Sequence, residues 1–222
     1  MFFITLASAS TRGRKPRPLT RAELKKAEAR LAEMGYRPGQ VDGVITDDTR
    51  KALTVFQKWE NRKLTGHLNR KEFDAIMSAD PPAARDSGYR HAEVDLDRQV
   101  LLLTDDDGAV TQILPVSTGS NRQFNENGIR GLAYTPTGRF RIYAKISGWR
   151  KSPLGLLYYP NYFSDGLAIH GNPSVPNSPQ SHGCVRIPMS AAIEISEALP
   201  VGTILLIYDS QSFVSAKDWV SN

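Results

Sequence analysis

The chain has 222 residues, of which 40% are hydrophobic and 23% are charged, and its formal net charge at pH 7 is +5. These proportions exclude a chain that is disordered throughout, and no apolar stretch approaches the roughly 18 consecutive residues that a transmembrane helix needs. The single cysteine, Cys184, excludes an intramolecular disulfide and a cysteine-rich zinc module.

The N-terminal residues 1–18 combine positive charge with an incomplete export signal. Nine basic and three acidic side chains fall between residues 11 and 37, whereas the rest of the chain is close to neutral. Such an arm either stays solvated or contacts an anionic polymer or lipid head groups. Because no basic patch is interleaved with aromatic residues, nucleic-acid binding is not predicted. The apolar run 1–6 and the small residues 7–9 match part of a signal peptide, so a signal remnant and a frayed terminus are both kept as interpretations.

Residues 19–79 predict a compact domain of three helices. Thr20 and Glu23 form a capping-box pattern ahead of the first helix, which Gly35 ends. The second helix is expected to start near Thr46 and the third at Asn69. Apolar residues recur at helical spacing and are predicted to form a small core: Leu24, Ala27, Leu31, Met34, Ala52, Val55, Phe56, Trp59, Phe73, Ile76 and Met77. This domain carries no convergent polar site, which indicates a binding module.

The second part of the chain changes to strand patterns. Residues 80–88 have the composition of a linker, residues 89–210 predict a β-rich domain, and residues 211–222 form a C-terminal tail. Strands are expected at 91–96, 99–103, 110–116, 139–146, 167–170 and 203–208, with one helix at about 190–199. The predicted class is α+β, a small three-helix N-terminal domain followed by a β-rich, sandwich-like or barrel-like domain. Residues 147–165 are interpreted as a long aromatic loop that is either functional or covers the core.

The residues with the clearest chemistry lie between positions 169 and 188. Cys184 carries a thiol whose ordinary pKa of about 8.5 keeps it protonated at neutral pH, and a nearby imidazole can accept that proton. His170 ends a predicted strand, where a scaffold would hold its ring rigidly, and the intervening loop can double back to Cys184. We therefore predict that Cys184 and His170 form a pair for nucleophilic attack on a carbonyl.

Neighbouring residues suit the same reaction. Gly183 frees the backbone beside the nucleophile, so that the N–H groups of Gly183 and Cys184 can face a developing oxyanion. Arg186 would lie on the same face as Cys184 in an extended segment, and its guanidinium can hold a carboxylate or orient the loop. The residues alone leave two alternatives open. His170, His182 and Cys184 could be zinc ligands, or each of these residues could be merely structural.

This segment resembles the active-site signature of L,D-transpeptidases of the YkuD type. The matching residues read Ile-His-Gly at 169–171 and Ser-His-Gly-Cys-Val-Arg at 181–186. Two earlier stretches, 115–119 and 135–140, resemble the family's V-S-T-G and T-P-x-G-x-F elements, and the whole match covers roughly residues 89–209. Residues 19–78 resemble a three-helix peptidoglycan-binding domain through features at 31–36, 41–44, 49–57 and 64–66.

The resemblance implies a peptidoglycan enzyme that needs neither a cofactor nor a metal. Cys184 would be the nucleophile and His170 the proton donor and acceptor. Five residues would build the oxyanion site or position the substrate: Gly171, Ser181, His182, Gly183 and Arg186. Cys184 would attack the carbonyl of the third residue of a stem tetrapeptide and expel the terminal D-alanine. A side-chain amine of another stem would then resolve the thioester into a 3–3 cross-link.

The resemblance further implies an extracytoplasmic location, in the cell wall or periplasm or as a secreted protein. We expect a monomer whose basic arm contacts anionic envelope polymers weakly. Two alternatives remain, an L,D-carboxypeptidase that passes the same thioester to water and a non-catalytic cell-wall-binding protein. The chain departs from the family pattern in two respects. The interval between His170 and the 181–184 block is shorter, which bears on the choice of acceptor, and Arg186 stands where some members carry asparagine.

Overall fold

The computed structural model describes residues 17–212. The predicted export signal, most of the basic arm and most of the C-terminal tail lie outside the described residues. The predicted fold class is confirmed, because a few helices are followed by a mostly β domain. The helices are α1 (Arg21–Glu33), α2 (Asp47–Trp59), α3 (Arg70–Ser78) and α4 (Ala192–Ala198), the last preceded by a 3-10 turn at Met189–Ala191. None of the described helices is both long and apolar enough to span a membrane.

The helices of the N-terminal domain begin where the sequence predicts. At α1 the Glu23 backbone N–H donates to Thr20 Oγ1 (3.3 Å), and the Thr20 N–H donates to the Glu23 carboxylate (2.8 Å). At α3 the Asn69 side chain accepts from the Glu72 N–H at 3.1 Å. These bonds satisfy backbone donors that have no partner inside a helix. The prediction for Met77 is wrong, since its side chain is 44% exposed.

The β domain consists of two packed sheets and a separate hairpin. One sheet has the order β3-β2-β1-β12-β6, the other has the order β11-β10-β9-β7 with β8 also paired to β9, and β4 pairs with β5. The strands are β1 (His91–Asp95), β2 (Val100–Thr104), β3 (Val110–Pro115), β4 (Gln123–Glu126), β5 (Ile129–Leu132), β6 (Gly138–Arg141), β7 (Ala144–Lys145), β8 (Trp149–Ser152), β9 (Gly155–Ser164), β10 (Leu167–Asn172), β11 (Val185–Pro188) and β12 (Ile204–Tyr208).

The five-stranded sheet is buried on both faces. Leu101 and Leu103 of β2 face the second sheet and α4 in one core, whereas Val100 and Leu102 face the three N-terminal helices in another. Alternation of side chains across a strand explains why all five residues of β2 are buried. The core of the three N-terminal helices therefore also includes side chains from one face of the five-stranded sheet.

The segment between α3 and β1 is anchored to the same sheet. The Arg85 backbone N–H lies 2.9 Å from both carboxylate oxygens of Glu93, and the Arg85 guanidinium lies 3.8 Å from the centre of the Tyr208 ring. Glu93 is fully buried, accepts a hydrogen bond from the Tyr208 hydroxyl (3.0 Å) and pairs with His91 (2.9 Å). A buried carboxylate needs such partners, so this segment is held more firmly than its linker-like composition indicates.

The interpretation of residues 147–165 as a long loop is wrong. Most of the segment forms the hairpin β8–β9, in which Trp149 pairs with Tyr158 and Ser152 with Gly155. Aromatic residues favour strands because they pack well on a pleated surface. Gly and Pro are uncommon inside strands, and this segment contains both, including Pro160 inside β9. The sequence analysis therefore did not predict strands here. The strand predicted at 139–146 is likewise divided between β6 and β7, which lie in different sheets.

Candidate active site

Parallel pairing of β10 with β11 brings the predicted catalytic residues to one face of the second sheet. Ile169 is opposite Val185, and His170 is opposite Arg186. Since side chains alternate along a strand, Ile169 and Val185 enter the core while His170 and Arg186 face the other way. Cys184 immediately precedes Val185 and therefore joins them. The topology unites two segments that are separated by a loop in the sequence.

This face forms the floor of a cleft of about 410 Å³. The hairpin β8–β9 and Ile129 of β5 provide its other walls. Five of the predicted site residues line the cleft: His170, Ser181, His182, Cys184 and Arg186. Gly171 and Gly183 do not line it. Sequence reasoning missed the lining residues Arg150, Tyr162 and Asn172, and the only signal for the first two was the aromatic content of the segment interpreted as a loop.

His170 is held as a neutral base. Its Nδ1 lies 2.9 Å from the Gly171 carbonyl oxygen, so that Nδ1–H donates and Nε2 keeps its lone pair. Burial of the ring lowers its pKa to about 4, and the Arg186 charge contributes in the same direction. The imidazole is consequently unprotonated at neutral pH and can accept a proton.

Cys184 is held as a neutral thiol. Burial raises the pKa of the thiol above its ordinary value, although the Ala168 backbone N–H and the Arg186 charge oppose the shift. Among the described residues no hydrogen bond joins the thiol to the His170 ring. Catalytic hydrogen bonds often close only in the substrate complex. The site therefore suits proton transfer during attack, with no standing thiolate–imidazolium pair.

The two pKa shifts predict how Cys184 alkylation depends on pH. Because the thiolate fraction of a neutral thiol grows with pH until its pKa is passed, we expect the iodoacetamide rate constant to rise about tenfold per pH unit from pH 6 to 9. Intact-protein mass spectrometry would follow this reaction without ambiguity, since the chain has one cysteine. A rate already constant above pH 5 would instead show a preformed ion pair.

The stretch 117–119 supports the cysteine loop from the side. Ser117 and Arg186 exchange two backbone hydrogen bonds of 3.1 and 3.0 Å, and the Ser181 N–H donates to the Thr118 carbonyl at 2.8 Å. Thr118 is fixed in turn by the Gln99 amide, which accepts from its N–H (2.9 Å) and donates to its hydroxyl (2.7 Å). The stretch that resembles the V-S-T-G element therefore supports the loop that carries Cys184 through backbone hydrogen bonds.

Thr135 joins the stretches 115–119 and 135–140 to the loop that carries Cys184. Its hydroxyl accepts from the Gly119 N–H at 2.8 Å and donates to the Gly183 carbonyl at 2.7 Å. Ser181 closes the loop from within, because its hydroxyl accepts from the Gly183 N–H (3.0 Å) and donates to the Cys184 carbonyl. The Gly183 N–H is therefore engaged by Ser181 in this structure, and its role at an oxyanion stays a prediction. The role of the Cys184 N–H stays a prediction.

Replacing Gly183 by alanine should lower the free energy of unfolding. Gly183 has φ +132°, and a Cβ there would lie 2.7 Å from the Tyr134 carbonyl oxygen. Backbone strain and this collision together are expected to cost about 2–4 kcal/mol. Gly155→Ala is the matched control, because Gly155 has φ +129° and the position that a Cβ would occupy there has no neighbouring atom within 4 Å. Urea unfolding curves that show equal losses for the two variants would contradict the steric argument.

His182 and Gly171 have structural surroundings that the sequence did not indicate. The His182 Nε2 lies 3.2 Å from the Glu126 carboxylate, and its ring meets Phe124 edge-on at 4.7 Å, so the β4–β5 hairpin holds it. A Cβ on Gly171 would lie 2.7 Å from the Ala192 methyl, so glycine lets α4 approach β10. Within residues 17–212 no group of three His, Cys, Asp or Glu side chains is arranged to hold a metal ion, so the zinc alternative gains no support.

Comparison with known families matches both parts of the chain. Residues 89–207 match the family described as the L,D-transpeptidase catalytic domain, and residues 20–76 match a putative peptidoglycan binding domain. No curated protein matches the sequence.

Two solved structures extend over most of the chain. An L,D-transpeptidase from Xylanimonas cellulosilytica (its residues 123–326) is 31% identical with a TM-score of 0.78, covering 91% of this chain and 100% of that one. An L,D-transpeptidase from Stackebrandtia nassauensis is 21% identical with a TM-score of 0.49, covering 90% of this chain and 97% of that one. The similarity to the first includes both the helical and the β domain.

Proposed function

Because the chain belongs to the L,D-transpeptidase family, we propose that it is a cysteine acyltransferase that forms 3–3 cross-links between peptidoglycan stem peptides. The observation that carries this proposal is the placement of Cys184 and His170 on one face of the β10–β11 pair, within one cleft. The substrate lies outside the cell membrane, and we therefore also propose an extracytoplasmic site of action.

The first half-reaction makes a thioester. The Cys184 sulfur attacks the carbonyl carbon of the third stem residue while its proton passes to His170 Nε2. The tetrahedral intermediate collapses when this proton is returned to the nitrogen of the terminal D-alanine, which leaves as a free amino acid. Arg186, which is half-buried on the same face, is proposed to bind the carboxylate of that D-alanine.

The second half-reaction reverses these roles. The side-chain amine of another stem attacks the thioester carbonyl, His170 accepts its proton, and Cys184 leaves as the thiol once the proton is returned. The new amide is the 3–3 cross-link. The thioester retains the acyl group without ATP, which suits a compartment outside the cell.

Product analysis with and without an amine acceptor tests the proposal. We expect the wild-type protein, given a disaccharide tetrapeptide, to form an adduct on Cys184 that intact-protein mass spectrometry detects. Adding a second stem with a free side-chain amine should then give cross-linked dimers. An adduct followed only by trimmed tripeptides would identify an L,D-carboxypeptidase. Folded protein with neither adduct nor turnover would contradict the enzyme and favour a wall-binding protein.

A further inference from the structure

A second groove, of about 590 Å³, runs between the helical domain and the β domain. One wall is α2, through Arg50, Lys51 and Thr54, and the other is the segment that follows β10, through Val175 and Asn177. Asn172, the last residue of β10, lines both this groove and the active-site cleft. The two cavities therefore adjoin at a single residue.

The junction lies close to the proposed chemistry. Asn172 follows His170 by two positions on β10, so both side chains lie on the same face and are separated by about 7 Å along the strand. A stem of three or four residues spans roughly 10–14 Å when extended. A peptide whose reactive end lies at Cys184 is thus long enough to continue past Asn172 into the groove.

Both walls of the groove are held by contacts with the rest of the protein. α2 packs through Ala52 and Val55 against the five-stranded sheet, and both residues are at most 3% exposed. The opposite segment is fastened by Ser117, whose hydroxyl donates to the Ser178 carbonyl (2.8 Å) and accepts from the Gln180 N–H (3.1 Å). Three prolines between residues 173 and 179 further restrict this segment.

α2 lines the groove with one acidic side chain, Asp47, and two basic side chains, Arg50 and Lys51. Within residues 17–212 the Arg50 guanidinium forms no ion pair, whereas the neighbouring Lys51 is paired with Asp48 at 3.2 Å. A guanidinium binds a carboxylate through two parallel hydrogen bonds. The amides of Asn172 and Asn177 add donors and acceptors for a peptide backbone.

We propose that this inter-domain groove binds the acceptor stem peptide, with Arg50 holding one of its carboxylates while its side-chain amine reaches the thioester on Cys184. This inference rests on the proposed function and deepens it. The helical domain then contributes directly to the choice of acceptor. The short, proline-rich loop between His170 and Cys184 forms the facing wall.

The test measures two quantities separately, the affinity for the acceptor stem and the ratio of cross-linked dimer to trimmed tripeptide. Binding uses the Cys184→Ala protein and a disaccharide tripeptide with a free side-chain amine, titrated by calorimetry. We expect Arg50→Glu, introduced into this background, to raise the Kd about tenfold, since one charge-assisted contact is replaced by repulsion. In the protein with Cys184 intact, Arg50→Glu should lower the ratio of dimer to trimmed tripeptide about tenfold as well.

Two further variants keep the result interpretable. Lys71→Glu makes the same charge change at an exposed position of α3 that lines neither cavity, and it should leave both quantities within about twofold of their starting values. Asn177→Asp adds a negative charge to the facing wall and should act in the same direction as Arg50→Glu. An unchanged Kd or ratio in Arg50→Glu, or an equal effect of Lys71→Glu, would overturn the groove as acceptor site.

Failure of the proposed function gives a different result. If wild-type protein forms no adduct on Cys184, the acyltransferase is contradicted whatever the groove binds. If the adduct and dimers form but Arg50→Glu behaves as wild type, only the assignment of the groove is wrong.

Discussion

Replacing Cys184 by alanine is expected to lower the rate of tetrapeptide turnover by about 10⁴-fold or more, because no other thiol exists to form the acyl-enzyme. Serine should not restore the activity. Its hydroxyl is far harder to deprotonate than a thiol, and burial has already lowered the pKa of His170 to about 4, which makes it a weak base. Muropeptide chromatography at matched protein concentration measures the loss.

The control for the cysteine variants is retention of fold and of wall binding. Cys184 is only partly buried, so alanine should shift the urea midpoint little. Both variants should also sediment with purified sacculi to the same extent as the wild type, since the helical domain is unaltered. Wild-type turnover in a folded Cys184→Ala protein would show that the chemistry lies elsewhere.

Replacing His170 by glutamine is expected to slow formation of the acyl-enzyme about 10²–10⁴-fold at pH 7, the usual contribution of a positioned general base. Glutamine approximates the size of the ring and can still donate to the Gly171 carbonyl, but it cannot accept the thiol proton. Quenched-flow sampling with intact-protein mass spectrometry gives the rate of adduct formation directly.

The pH dependence separates a base from a structural residue. Because the pKa of His170 is lowered to about 4, the wild-type rate should fall with acidification only as the pH approaches that value. In His170→Gln the deficit should shrink steadily as the pH rises from about 6 to 9, because hydroxide supplies a growing fraction of the thiolate that His170 otherwise generates. A deficit of the same size from about pH 6 to 10 would assign His170 a purely structural role.

Local patterns in the chain predicted the helices among the described residues and the strands β1, β2, β3, β6, β10 and β12, whereas β4, β5, β8, β9 and β11 were not predicted. The caps at Thr20 and Asn69 depend on bonds between residues near in sequence, and such bonds need no knowledge of the fold. The hairpin β8–β9 was missed because its strands are stabilised by pairing and its own sequence contains Gly, Asn and Pro. The hairpin β4–β5 was missed although Asn127-Gly128, a turn signal typical of hairpins, lies between its strands.

The candidate site divides in the same way. Cys184, His170 and Arg186 were chosen from residue type, spacing and resemblance, because a thiol, an imidazole and a guanidinium carry recognisable chemistry. The fastening of the loop by Gln99 and Thr135 was invisible, since those residues lie 85 and 49 positions before Cys184 and act through backbone groups. The sequence predicted the Gly183 N–H as an oxyanion donor. It could not show that this N–H donates to the Ser181 hydroxyl, because that contact exists only in the folded loop.

The amino-acid sequence by itself determined which groups can react and where the regular elements begin, because both follow from side-chain chemistry and short-range hydrogen bonding. Only the tertiary structure decided that His170 and Arg186 lie side by side on one face of the sheet, that burial keeps the imidazole and the thiol neutral, and that α2 lies across a groove from the loop after β10. These properties arise from desolvation and from contacts between distant segments, and they exist only once the sheets and helices have packed.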